Sequence, residues 1–185
     1  MKSVTLSLTV VVAVLFFATA NAEPIKWAGN GHYYELQDSC TTDWFGWNSY
    51  AASQTFMGTQ GYLATITSAD ENLWITNNFD FSSNAYGCFF GAYQQPNSQE
   101  PDGGWTWITG EEWNYTNWGG LNNSLGIEDV LMRHDTKNAD GWTWNDYPST
   151  YPSDCALIEY SVVPEPSTIA LLASSLAALF LRRKN

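Results

Sequence analysis

The most constraining feature of this sequence is a pair of apolar segments at its two ends, which confine a folded domain to the part between them. Lys2 precedes an almost entirely apolar stretch, residues 4–19, and Ala20–Ala22 has the small-x-small pattern of a cleavage site. The stretch is shorter than the ~20 residues of a membrane-spanning helix. It therefore predicts a secretory signal peptide at residues 1–22, with an uncleaved membrane anchor as the alternative.

A second apolar run, residues 168–181, lies near the C-terminus and is followed by basic residues. It is also shorter than ~20 residues, and the basic end fits retention on the cytoplasmic side. Pro164, Glu165 and Pro166 precede the run. This order of motif, apolar run and basic end resembles the PEP-CTERM sorting tail of Gram-negative bacteria. For residues 163–185 the resemblance implies transient membrane association, processing by an exosortase-type enzyme, and export to the cell surface or extracellular matrix. A weak C-terminal anchor is the plainer alternative.

The segment between the two ends, residues 23–162, has the length of one domain. It holds 18 of the 19 acidic residues and only three of the seven basic residues, namely Lys26, Arg133 and Lys137. Nucleic-acid binding needs basic patches that contact phosphates, so this charge argues against a nucleic-acid partner. The acidic character is compatible with cation binding, although a solvated acidic surface is the commoner explanation.

Three cysteines, Cys40, Cys88 and Cys155, lie in this segment. An exported protein can form disulfides, and an odd number leaves one thiol unpaired or intermolecular. The spacing matches no zinc pattern. It also leaves the pairing open, and we favour Cys40 with Cys155.

The predicted elements follow the order of one strand, two helices and then a block of short strands. A strand is predicted at 31–36 and a first helix at 47–56. The second helix begins at Ser68, which has capping-box spacing to Glu71, and ends near Asn78. Further strands are predicted at 63–66, 88–93, 105–108, 130–132, 142–144 and 156–160. This order is typical of an α+β fold.

Six motifs in order resemble those of C-type lectin-like domains, over about residues 31–161. They are Gly61–Asn72, similar to G-x-L-A-x-I-x-S-x-x-E-N; Phe89–Ala92, similar in shape to W-I-G-L; Trp105–Trp107 with Tyr115–Trp118, similar to W-x-W and Y-x-N-W; Glu128–Asp129; the W-N-D motif Trp144–Asp146; and Ile158–Glu159. The resemblance implies the C-type lectin-like fold, an α+β architecture with two helices flanking antiparallel sheets and a long loop region.

The resemblance also implies a calcium ion, because the W-N-D motif and the glutamate of the E-D pair help bind one in that family. The implied Ca²⁺ ligands are Asn122, Glu128, Asn145 and Asp146, whose carboxylate and amide oxygens are groups that calcium prefers. In the family the ligand side chains also bond the sugar. The implied carbohydrate-binding residues therefore include Asn122, Glu128 and Asn145.

The residues aligned with the family's sugar-selecting tripeptide depart from its pattern. Gly120 and Leu121 stand in place of a Glu or Gln and of a proline that follows a cis bond. Gly120 has no side chain to contact a sugar hydroxyl, so the sequence does not identify the sugar. A bound calcium ion would also have one side-chain ligand fewer. Asn123 and Asp129 could contribute to a second calcium position that some family members carry.

The tryptophans have two alternative roles. Trp113, Trp118 and Trp142 could stack on sugar faces, and we assign Trp118 and Trp142 to carbohydrate binding. Core packing is predicted for three others, because a tryptophan buries a large apolar area. These three are Trp105, Trp107 and Trp144.

Catalysis has little support in the sequence. The pairs Glu111–Glu112 and Glu128–Asp129 could serve as glycosidase carboxylates, but adjacent acids in polar loops are usually solvated. His32 and His134 are isolated, and neither lies near a serine or cysteine nucleophile pattern. We therefore predict a protein that is not an enzyme.

Two functions remain open. The first is an exported surface or matrix protein that binds an extracellular glycan or exopolysaccharide with calcium. The second is a calcium-independent protein-interaction or exopolysaccharide-matrix scaffold with the same fold, which the altered tripeptide favours because a fold alone does not fix a function. The oligomeric state is not predicted.

Overall fold

A computed structural model of the chain describes residues 23–38, 40–81, 87–96, 98–120 and 126–161. The predicted signal peptide, the predicted sorting tail, Leu121, Asn122 and Asn123 lie outside these residues. Neither helix in the described part of the chain is long and apolar enough to span a bilayer.

The described residues form two helices and eleven strands, four strands more than the sequence predicts. The helices are α1 (Trp44–Ser53) and α2 (Ala69–Asn78). The strands are β1 (Ile25–Lys26), β2 (Tyr33–Gln37), β3 (Thr55–Phe56), β4 (Thr59–Gln60), β5 (Tyr62–Leu63), β6 (Phe89–Gln94), β7 (Trp105–Trp107), β8 (Trp118–Gly120), β9 (Glu128–Asn138), β10 (Gly141–Pro148) and β11 (Ala156–Tyr160). The α+β class is confirmed.

Helix α1 begins and ends three residues earlier than the predicted range 47–56. Asp43 caps its N-terminus, and the Asp43 carboxylate accepts the Gly46 N–H at 2.8 Å. The helix ends at Ser53 because the next residues pair as the β3–β4 hairpin. Gly58 lies in the turn of this hairpin with φ +79, a conformation that favours glycine.

Helix α2 begins where the sequence predicts, but its capping contacts differ from a full capping box. The Ser68 hydroxyl accepts the Glu71 N–H at 3.2 Å, as expected for an N-cap. The Glu71 carboxylate accepts the N–H of Thr67, at 2.7 Å, rather than that of Ser68. Glu71 is thereby directed into the interior, between α2 and β2.

Nine strands form one mixed sheet in the order β1-β2-β11-β6-β9-β10-β8, with β5 paired to β11 and β7 paired to β6. Only the β11–β6 and β10–β8 pairings are parallel among the pairings described. Consecutive strand residues face opposite sides of a sheet, so Leu157 and Ile158 of β11 contribute to two separate core clusters. Ile75 of α2 lies in the cluster of Leu157, and Trp47 of α1 lies in the other. The two helices therefore pack against opposite faces.

The disulfide joins Cys88 to Cys155, so the predicted pairing of Cys40 with Cys155 is wrong. Cys88 directly precedes β6 and Cys155 directly precedes β11. The parallel pairing of these strands brings the two Cα atoms to 4.5 Å. Cys40 is exposed and is not part of a disulfide.

Candidate functional site

The W-N-D motif lies in β10 and is anchored to α2 through its tryptophan. Trp144 is fully buried, and its indole N–H donates to the side-chain oxygen of Asn72 at 3.2 Å. The Asn72 amide group donates in turn to the backbone oxygens of Asp140 and Trp142. These hydrogen bonds fix the position of β10, and with it the two polar residues of the motif.

Those two polar residues, Asn145 and Asp146, face opposite sides of the sheet. Asp146 is fully buried and lies opposite Leu131 of β9, whereas Asn145 is half-buried and lies opposite Met132. The Asn145 amide group donates to the backbone oxygen of Asp146 at 2.5 Å. Only the Asn145 side chain of this pair is therefore partly open to solvent.

Glu128, the third predicted calcium ligand that the structure describes, begins β9 and is half-buried. Glu128 pairs with Pro148 of β10. It lies three residues before Leu131, the residue opposite Asp146, so Glu128 and Leu131 are roughly 10 Å apart along β9. The structure thus places Glu128, Asn145 and Asp146 on two neighbouring strands without joining them in one cluster. Within the described ranges, no three His, Cys, Asp or Glu side chains are arranged to hold a metal ion. Asn122, the fourth predicted ligand, is outside those ranges.

Asp129, predicted for a second calcium position, makes two structural hydrogen bonds. Its carboxylate accepts the Ser149 N–H at 3.0 Å and the Ser149 hydroxyl at 3.2 Å. These bonds connect the start of β9 to the residue that follows β10. A contribution of Asp129 to a second calcium position stays a prediction.

Trp118, predicted to stack on sugars, packs within a cluster of aromatic rings. Its ring centroid lies 5.1 Å from Trp105, 6.3 Å from Trp113 and 6.0 Å from Trp144. The core role predicted for Trp105, Trp107 and Trp144 is confirmed, because all three are buried. Trp118 and Trp113 are partly buried against the same cluster.

Trp142, the other predicted stacking residue, has two cations over its ring. The Lys137 ammonium lies 4.0 Å and the Arg133 guanidinium 4.6 Å from the ring centroid. Both distances are those of attractive cation–π contacts. Because these cations already contact the ring, a sugar could stack there only alongside or in place of one of them.

Two adjacent grooves beside Glu128 were not identified from the sequence. The polar groove, with a volume of about 250 Å³, is lined chiefly by Gln94, Gln95, Glu100, Ile127 and Glu128. The aromatic groove, about 470 Å³, is lined chiefly by Trp44, Phe45, Asn48, Tyr93 and Ile108. Gln94, Pro96 and Asp129 line both grooves. The sequence offers one signal for the aromatic groove, the run of aromatic residues Trp44, Phe45 and Trp47 around the start of the predicted first helix.

A second feature, which we call the carboxylate network, joins Tyr34, Glu71 and Glu159 in the interior. Both carboxylates are 1% exposed. The Tyr34 hydroxyl donates to Glu71 and lies 3.1 Å from Glu159. The Thr65 N–H donates to Glu159 at 2.9 Å, and the Thr67 N–H donates to Glu71. The network therefore ties β2, α2 and β11 together.

The prediction that His32 is isolated is wrong, because its Nδ1 lies 2.6 Å from the Glu159 carboxylate. The hydrogen bond with Glu159 raises the pKa of His32. Burial raises the pKa of Glu71 to about 7, although the hydrogen bond from Tyr34 acts in the opposite direction. Burial and the two carboxylates raise the pKa of Tyr34, so its hydroxyl keeps its proton at neutral pH.

Comparison with known proteins identifies the C-terminal motif and one long relative. A family described as the PEP-CTERM protein-sorting motif matches residues 162–184, which include Pro164, Glu165 and Pro166. Halomucin of Haloquadratum walsbyi is 32% identical over 174 residues, an alignment that covers 85% of this chain and 2% of halomucin. The chain thus corresponds to a small fraction of that relative's length.

Solved C-type lectin structures resemble the described domain. CEL-I from Cucumaria echinata matches with a TM-score of 0.59 at 23% identity, over 76% of this chain and 98% of that chain. The C-type lectin domain of murine dendritic cell inhibitory receptor 2, solved in complex with N-glycan, matches with a TM-score of 0.56 at 21% identity, over 76% and 98%. The carbohydrate-recognition domain of the mouse scavenger receptor C-type lectin matches with a TM-score of 0.58 at 16% identity, over 80% of this chain and 100% of that chain. The predicted fold is therefore confirmed: the chain has the C-type lectin fold and carries a PEP-CTERM protein-sorting motif at residues 162–184.

Proposed function

We propose that this protein is exported, is sorted to the cell surface or extracellular matrix, and binds a glycan or exopolysaccharide there. The observation that carries the proposal is the C-type lectin fold with an intact W-N-D motif on β10 beside Glu128 on β9. The sorting motif at residues 162–184 supports delivery to the surface. In this proposal residues 1–22 are a signal peptide, 23–162 are the domain, and 163–185 are removed by an exosortase-type enzyme.

We propose binding rather than catalysis. Of the carboxylates considered for hydrolysis, Asp129 bonds to Ser149, and Glu111 accepts the hydroxyls of Thr65 and Thr109 at 2.6 and 2.8 Å. These bonds join the two carboxylates to neighbouring backbone and hydroxyl groups of the domain. These contacts support structural roles for both side chains.

Calcium is the proposed cofactor, and the chemistry of the donor groups fits it. Glu128 and Asn145 offer carboxylate and amide oxygens on partly open side chains, and Asn122 would add a third oxygen. When bound, the ion would supply coordination sites for two adjacent hydroxyls of one sugar. Asp146 is fully buried and would reach the ion only from within the sheet. With so few side-chain ligands, we expect a dissociation constant of about 10⁻⁴–10⁻³ M.

Titration of the full chain with calcium tests this part of the proposal. At ten times its dissociation constant, a ligand that binds only the folded state raises the free energy of unfolding by about 1.4 kcal/mol. We therefore expect binding heat and a higher Tm in about 10 mM calcium. Glu128→Gln should weaken both, whereas Glu112→Gln, at an exposed position outside the site, should change neither. Absence of heat and of a Tm shift in the unchanged protein would rule out calcium.

The second candidate function is calcium-independent binding by the same fold, to a protein or to matrix polysaccharide. It is favoured by the burial of Asp146 and by the hydrogen bonds that occupy Asp129. A glycan array probed with and without EDTA separates the two candidates. Binding that disappears in EDTA supports the calcium-dependent function. Binding that persists in EDTA supports the second.

A further inference from the structure

The polar groove and the aromatic groove meet side by side, because Gln94, Pro96 and Asp129 line both. Glu128, which we propose for calcium and sugar binding, lines the polar groove. The aromatic groove continues from there towards α1. Its volume of about 470 Å³ lies within the range of ligand pockets.

Aromatic rings form the wall of the second groove. Phe45, in the first turn of α1, is 56% exposed. It contacts Trp44, with ring centroids 5.5 Å apart, and Trp44 contacts Tyr93 at 6.0 Å. The indole N–H of Trp44 donates to the backbone oxygen of Phe90 at 2.9 Å, which holds the central ring in place. An exposed apolar ring on a fixed support can bury the apolar face of a ligand without first having to be ordered.

Gln94 supplies a polar group at the junction of the two grooves. The side chain is 6% exposed. Its amide group donates to the backbone oxygens of Pro101 at 3.2 Å and Gly103 at 2.8 Å. Its side-chain oxygen has no hydrogen-bond partner among the described residues. Because less than 1 Å² of this oxygen is accessible to solvent, a ligand hydroxyl could reach it only if the side chain moved, and Gln94 serves here as a lining residue of both grooves.

The charge of the grooves restricts the ligand further. Three carboxylates, those of Glu100, Glu128 and Asp129, line the polar groove. The basic residues of the domain lie elsewhere: Lys26 is over the ring of Tyr33, and Arg133 and Lys137 are over the ring of Trp142. No basic side chain is among the described residues that line either groove. Even with a calcium ion at Glu128, three carboxylates against two positive charges leave the track negative, which disfavours an acidic polysaccharide relative to a neutral one.

We infer that the two grooves form one track that binds a neutral oligosaccharide of at least two sugar units. One unit occupies the polar groove beside Glu128. The next unit lies with its apolar face on Phe45 and Tyr93, and Gln94 lines the junction between the two. The inference rests on the proposed carbohydrate-binding function and adds the charge and minimum length of the glycan.

An array of neutral and acidic glycans, each present as monosaccharide and as oligosaccharides of increasing length, tests the inference on the full chain in 5 mM calcium. We expect neutral oligosaccharides to bind at least tenfold more tightly than their monosaccharides. Phe45→Ala should abolish that gain and should leave the affinity for monosaccharides within twofold of that of the unchanged protein. Phe45→Tyr, which keeps the ring, should retain the gain. Leu73→Ala removes a comparably exposed apolar side chain from α2, outside both grooves. It should leave the affinity for monosaccharides and for oligosaccharides unchanged.

The outcomes separate failure of the inference from failure of the proposed function. If Phe45→Ala binds oligosaccharides as tightly as Leu73→Ala does, the track is wrong while carbohydrate binding stands. Binding of acidic glycans alone overturns the inference in the same way. If the unchanged protein binds no glycan on the array, the proposed function falls and the inference falls with it. Circular dichroism and Tm of each variant show that the comparison is made between folded proteins.

Discussion

The carboxylate network and the polar groove both contain acidic side chains, but their surroundings differ. In the network, Glu71 and Glu159 are 1% exposed and accept hydrogen bonds from backbone and side-chain donors. In the polar groove, Glu128 is half-buried and Glu100 is exposed. The same residue type is therefore enclosed by donors in one region and open to a ligand in the other.

This difference separates a structural role from a binding role. A buried carboxylate is tolerated only when its oxygens are hydrogen-bonded, so the network has to be matched closely by β2, α2 and β11. A carboxylate at a groove keeps part of its hydration and can exchange water for a ligand. Substitutions should accordingly affect stability in the network and binding in the grooves.

The largest expected effect is that of Glu159→Ala on stability. The substitution leaves the Thr65 N–H and the His32 ring without their acceptor, and it breaks the link to Tyr34. We expect the free energy of unfolding to fall by about 3 kcal/mol or more, measured by urea denaturation. Glu112→Ala is the matched control because Glu112 is exposed, and it should change stability by less than about 0.5 kcal/mol. Equal losses in the two variants would contradict a structural role for the network.

Local sequence patterns were sufficient to predict the two helices and seven of the eleven described strands, but not the contacts between them. Ser68 and Glu71 signal the start of α2 because an N-cap involves residues three apart. The contact of His32 with Glu159 joins residues 127 positions apart, so no local pattern reveals it. The disulfide was mispredicted for the same reason, since it depends on the parallel pairing of β6 and β11.

The sequence predicts the motif residues of the candidate site but not the grooves beside them. Glu128 and Asn145 are predicted as ligands because the W-N-D and E-D motifs are contiguous, and this role stays a prediction. The grooves were missed because Phe45, Gln94 and Glu128 come from α1, β6 and β9, which only the folded sheet brings together. Trp142 was assigned to stacking without its cations, because Arg133 reaches its ring across the β9–β10 pairing.

The second-largest expected effect is a decrease in stability as the pH rises. Burial raises the pKa of Glu71 from about 4.5 to about 7, so the folded state binds a proton more tightly than the unfolded state does. Its contribution to stability is therefore complete below pH 4.5 and is lost as the pH rises to about 7. The raised pKa of His32 acts with the same sign, and its contribution is lost as the pH rises through the folded-state pKa. We expect the free energy of unfolding to fall by about 1–3 kcal/mol between pH 5 and pH 8.

Urea denaturation at pH 5, 6, 7 and 8 measures this dependence, and Glu71→Gln isolates the part due to Glu71. The glutamine has no titrating proton, so the free energy of unfolding of this variant should change less between pH 5 and pH 8. It keeps an oxygen that can accept the Thr67 N–H. The remaining slope reflects His32 and the general repulsion among the acidic side chains. A curve for Glu71→Gln that runs parallel to that of the unchanged protein would show that Glu71 does not titrate there.

The smallest expected effect on stability is that of Phe45→Ala in the aromatic groove. Phe45 is 56% exposed, so its removal uncovers little of the core, and alanine favours the helix at least as well as phenylalanine does. We expect a change within about 0.5 kcal/mol by urea denaturation, similar to that of an ordinary surface substitution. Trp47→Ala serves as the contrast on the same helix, because Trp47 is fully buried and its removal should cost about 3–5 kcal/mol. A loss for Phe45→Ala that approached the loss for Trp47→Ala would make Phe45 part of the core, and the exposed ring would then have a packing explanation instead of a binding one.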